Sequence, residues 1–78
     1  MLNLTPAARE KRIVKVYDLA AAYTDEDWGI VSGGHWDRLA AIAGEYARGE
    51  NDWNRTRVLV ADTVKDVRAE ADALRAIA

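Results

Sequence analysis

From residue 60 onward the side chains Val60, Val64, Val67, Ala71, Leu74 and Ala78 follow one another at intervals of four, three, four, three and four. An α-helix turns once in about 3.6 residues, so this spacing lays all six on one stripe, whereas a strand of period two would divide them between its faces. Neither proline nor glycine follows Asp52. The spacing therefore predicts a helix over about residues 52–77, capped by Asn51 or Asp52. At 1.5 Å per residue it would run about 39 Å. Whatever packs against it must carry an apolar stripe of its own.

Two other segments supply such stripes. Thr5 is a natural N-cap with Pro6 at the first helical position, where its missing N–H is no loss, and no breaker follows before Tyr23. In this first helix, residues 6–23, Ile13, Val16, Ala20 and Tyr23 recur at helical intervals, with Val14, Tyr17 and Ala21 widening the stripe. A second helix is expected over about 34–48, with Trp36, Leu39, Ala40, Ala43, Tyr46 and Ala47 on one face and Gly49 as its stop. The chain has 78 residues, and fifteen of its hydrophobic residues are alanine. A core of that size gives a narrow margin of stability. The expected fold is all-α: one domain over residues 1–78, built as a small three-helix bundle with a short helical turn near 25–30. The third helix outruns the other two, so a homodimer through helix 3 is a further expectation.

The stretch YTDEDWGIVSGGHW, residues 23–36, departs from plain helix and gathers the features that could signal a site. Counted from Asp25 as a calcium loop, it places Ile30 where the glycine belongs and Trp36 where the last acid belongs. Gly33 and Gly34 fit neither phosphate-binding glycine pattern. Ser32, His35 and Asp27 or Asp37 could be drawn as a hydrolytic set, but no strand-turn-helix frame holds a nucleophile. A lone His among scattered acids is a poor zinc site, and the chain has no Cys. Neither a catalytic residue nor a metal or other cofactor is expected. The stretch reads instead as a connector: Thr24 and Asp27 match a capping box, Ser32 or Gly34 caps the second helix, His35 is an ordinary polar residue, and Trp28, Ile30 and Val31 turn inward.

Charge is unevenly spread. Residues 1–24 carry +2, residues 25–53 carry −5 and residues 54–78 carry +1. An acidic middle disfavours direct contact with a phosphate backbone and favours a basic partner. Trp36-Asp37-Arg38 and Trp53-Asn54-Arg55 repeat one order at two helix starts, and Trp and Arg are the residues most enriched at interface hot spots. The expected partner-binding set is Asp25, Glu26, Asp27, Trp28, Trp36, Asp37, Trp53 and Arg55. Val58, Leu59 and Ala61 beside Trp53 would extend it as an apolar patch. Arg9, Lys11, Arg12 and Lys15 sit at the wrong end of helix one for its dipole, and Glu45 and Glu50 are expected to neutralise Arg9 and Arg12.

The function these features favour is a non-catalytic protein-binding module that occupies a basic surface of a larger protein, with a nucleic-acid-binding protein as a candidate. The Ala-, Arg- and Asp-rich usage resembles that of high-GC bacteria or their phages, where a small inhibitor or regulator from a phage or mobile element would act in this way. The alternative is a small helical nucleic-acid-binding regulator using Arg9, Lys11, Arg12 and Lys15 with Arg55 and Arg57. With no apolar leader and no long apolar run, a cytoplasmic protein without a membrane contact is expected.

Overall fold

The computed structural model describes residues 3–77, so the seam position Ala78 lies outside the described residues. Three helices run in order: α1, Pro6–Tyr23; α2, Gly33–Ala47; and α3, Trp53–Ala76, with a 3-10 turn at Asp27–Gly29 between the first two. The described residues contain no strand. The expected three-helix bundle is the observed fold, with each boundary within a residue or two of the sequence expectation.

Local chemistry sets each helix end. Thr5 Oγ1 accepts from the backbone N–H of Ala8 at 3.2 Å, and Pro6 opens α1. Gly49 stops α2 with φ at 77°, a left-handed conformation that a side chain would strain. Its N–H reaches Tyr46 O at 3.0 Å and the N–H of Glu50 reaches Glu45 O at 2.9 Å, which closes off two carbonyls of the last turn. Asp52 caps α3 by accepting from the Arg55 N–H at 2.8 Å. Ser32, one of the two residues expected there, occupies the N-cap position of α2, though its side chain makes no capping bond.

Every pair of helices packs together, and the 3-10 turn packs on α3. The core joins Val16 and Ala20 of α1, Leu39, Ile42, Ala43 and Tyr46 of α2, Val60, Val64 and Val67 of α3, and Trp28. The α1 stripe is narrower than its spacing suggests. Ile13 and Tyr23 are exposed, because only Val16 and Ala20 face both neighbouring helices. Ala40 is likewise outside the core, whereas Ile42 is inside it. On α3 the seam extends backward to Thr56 and widens at Thr63, both fully buried. Their hydroxyls donate to Asp52 O at 2.7 Å and Leu59 O at 2.8 Å, which removes the penalty of burying them. Leu59 packs against the core while Val58 is exposed.

Part of the surplus length of α3 lies against the rest of the chain. Its 24 residues lie beside the 15 of α2, and its later turns lie beside the bend between α1 and α2. Leu74, beside the bend, and Ile77 remain exposed. No helix among the described residues is long and apolar enough to cross a membrane.

Candidate binding surface

The bend is clasped to α3. Arg75 donates to Asp27 Oδ1 at 2.5 Å, Arg68 donates to Tyr23 O at 2.5 Å, and Glu70 accepts from the Ser32 N–H at 3.2 Å. Glu70 also lies 2.8 Å from His35 Nε2, so His35, in the first turn of α2 as expected, has a structural partner on α3. The Asp27 carboxyl, on a buried residue, is held below its ordinary pKa by the Arg75 hydrogen bond; burial opposes this, and the Thr24 hydroxyl and the charges of Arg75 and Arg68 add to it. The same pairing raises Arg75. Thr24 Oγ1 receives the Asp27 N–H at 3.5 Å, a long version of the expected capping contact. Asp27 and His35 thus hold separate partners on α3, and Ser32 engages through its backbone. Ile30 is exposed where it was expected to turn inward, while Trp28 is buried and Val31 packs on the core.

Two tryptophans stand at this end of the bundle. Trp28 is 4% exposed and its indole N–H donates to Ala20 O at 3.3 Å. Trp36 is 42% exposed, and its indole N–H donates to Trp28 O at 3.1 Å. Their ring centroids are 4.9 Å apart at a tilt of 54°. A cavity of about 260 Å³ opens here between α1, the bend and α2. Its buried lining is Ala20, Trp28 and Leu39, its more exposed walls are Tyr17 and Trp36, and the exposed acids Asp18 and Asp25 also line it.

The opposite end repeats the aromatic pair with a different complement. Tyr46 and Trp53 have centroids 5.3 Å apart at 46°. The Arg12 guanidinium lies 4.5 Å from the Tyr46 centroid and the Lys15 ammonium 4.0 Å from that of Trp53. Arg12 also donates to Tyr46 O at 3.1 Å. The expectation that Glu45 and Glu50 neutralise Arg9 and Arg12 is therefore corrected: Glu50 pairs with Arg48, Glu45 accepts from Asn51, and Arg12 turns to the end of α2 through a carbonyl and a ring. An aromatic face offers a cation an attraction that survives partial burial, which a solvated carboxylate pair does not match.

The expected partner-binding residues fall into three places. Asp25 and Trp36 line the cavity, with the exposed Glu26 and Asp37 flanking them in sequence. Asp27 and Trp28 are buried, one paired to α3 and the other within the core, so they support the surface from below. Trp53 and Arg55 lie at the far end of α2; from Trp36 to Tyr46 the helix advances about 15 Å. The basic residues of the alternative reading share that far end. Arg9 and Lys11 are exposed on α1, Arg12 and Lys15 cover the aromatic rings, and Arg57 donates to Asn54 Oδ1 at 3.3 Å. Asp18 and Tyr17 went unnoticed as site residues, although Asp18 precedes Asp25 by two helical turns' worth of chain. No protein-family model matches the chain, and neither a curated protein nor a solved structure matches it.

Proposed function

We propose that the chain is a non-catalytic binding module that docks on a basic surface of another protein through the acidic, tryptophan-bearing end where α1, the bend and α2 meet. The observation that carries this reading is the half-exposed Trp36 beside an apolar cavity also lined by Asp18 and Asp25. Trp36 supplies contact area, and its indole bond to Trp28 O holds the ring in place, so little freedom is lost when a partner covers it. The exposed acids Asp18, Asp25, Glu26 and Asp37 supply attraction that speeds encounter with a positive surface. A small inhibitor or regulator of a nucleic-acid-binding protein, from a phage or mobile element, would work by covering such a surface.

Polyarginine and polylysine serve as probes. Retention of both by the immobilised chain at about 20 mM salt, and release at about 300 mM, is the expected result for charge-guided docking. Absence of binding at the lower salt contradicts the reading. The basic end formed by Arg9, Lys11, Arg55 and Arg57 supports a second reading, in which that end meets nucleic acid. A gel shift at about 50 mM salt decides it, because phosphate contacts are strongest there.

A further inference from the structure

We infer that the cavity beside Trp36 is a seat for one arginine side chain of the partner, which rests on the proposed reading of this end as a module for basic surfaces. The bundle itself supplies the comparison. Its two aromatic pairs have nearly the same separation and tilt, and the pair at the α2–α3 end is covered by two cations of the same chain, Arg12 and Lys15. Among the described residues no cation lies over the Trp28–Trp36 pair, and the ionisable groups that line the cavity beside it are carboxylates and a phenol. One end has its charge complement built in. The other has the aromatic platform and the counter-charges but not the cation.

The dimensions suit one long side chain. At about 260 Å³ the cavity is smaller than the roughly 300–1,000 Å³ that drug-sized ligands and cofactors occupy. Its apolar lining of Ala20, Leu39 and Trp28 matches an aliphatic stem, and its acids match a charged tip. Trp28 lies tilted against the Trp36 ring, and Trp36, 42% exposed, lines the cavity. A planar guanidinium stacks on such a ring and donates sideways to carboxylates in one pose. A lysine ammonium is a compact, strongly hydrated point charge that gives up more water to enter. Asp18 leaves α1 from its fourth turn and Asp25 leaves the bend, so the two acids approach the cavity from separate elements.

The test is calorimetric titration of the full chain with hexa-arginine, hexa-lysine and hexa-citrulline at about 20 mM salt, where screening is weakest. Hexa-arginine is expected to bind about threefold or more tighter than hexa-lysine, and hexa-citrulline, which keeps the shape without the charge, not at all. Trp36→Ala and the double variant Asp18→Asn/Asp25→Asn are each expected to weaken hexa-arginine about fivefold, while Lys11→Ala does not weaken it. The double variant alters only exposed side chains, so it reports on the cavity even where Trp36→Ala fails to fold. Unchanged hexa-arginine affinity in the folded variants would overturn the seat and move any docking of basic partners away from Trp36, Asp18 and Asp25. Equal affinity for the arginine and lysine peptides would overturn the choice of guanidinium. If neither peptide binds, the proposed function falls together with the seat.

Discussion

Tyr46 and Trp53 at one end of the bundle and Trp28 and Trp36 at the other are alike in geometry and opposite in surroundings. The first pair is covered by Arg12 and Lys15, which reach it from α1. The second lines an open cavity with Asp18 and Asp25. Where the sequence supplies a cation one turn before the core residue Val16, the ring is covered from within. Where it supplies acids, the ring is left as a surface. The difference teaches that similar aromatic anchors serve cohesion or recognition according to the charge the neighbouring helix brings.

Substitutions can sharpen or break that contrast. The largest effect is expected at Trp28, which lies inside the core at the recognition end. Trp28→Ala should destabilise the fold by about 3–5 kcal/mol in chemical denaturation, enough to unfold a domain of this size. A loss under about 1 kcal/mol would mean that the bend is not part of the core.

The acid sensitivity of the clasp comes next. Asp27 has a depressed pKa in the fold, so its contribution is fully present above the unfolded carboxyl value of about 3.9 and is lost as pH falls through that value and below. Melting curves from about pH 6 down to about pH 3 should therefore fall less steeply for Arg75→Ala than for the wild type. Parallel curves would show that the Arg75–Asp27 pair is not maintained in solution.

At the covered pair, Lys15→Ala should cost about 0.5–1 kcal/mol, the usual worth of a cation over an indole near the surface. The effect of Trp36→Ala on stability is also small beside that of Trp28→Ala, at most about 1.5 kcal/mol for a half-exposed ring and one hydrogen bond. The same substitution is the one expected to weaken binding. A Trp36→Ala loss as large as that of Trp28→Ala would place Trp36 with the core and dissolve the contrast between the two ends.

Much of the fold was legible because helical periodicity is a local signal. Val60, Val64, Val67 and Ala71 form the buried seam their spacing predicts, and Thr5, Gly49 and Asp52 act at the helix ends as their chemistry requires. Thr56 and Thr63 lie on that same seam but read as polar, since only the structure reveals that their hydroxyls bond back to their own helix. Ile13 and Tyr23 fit the α1 pattern yet stay exposed, because periodicity fixes a face and not the width that two neighbouring helices cover. Of the candidate site, Trp36 and Asp25 were legible as an aromatic and an acid at a helix start. Asp18 was not, since it sits mid-helix among alanines with nothing local to mark it. The clasp was invisible for a deeper reason: Asp27 and Arg75 are 48 residues apart, and no local pattern tells which of the many charges will meet across the bundle.

The contrast between the ends can be read most directly from the indole N–H signals of Trp28, Trp36 and Trp53 in a ¹⁵N-labelled chain titrated with hexa-arginine at about 20 mM salt. Progressive movement of the Trp36 signal, with the Trp53 signal stationary under its own Lys15, is the predicted result. Movement of Trp53 while Trp36 stays in place would contradict it.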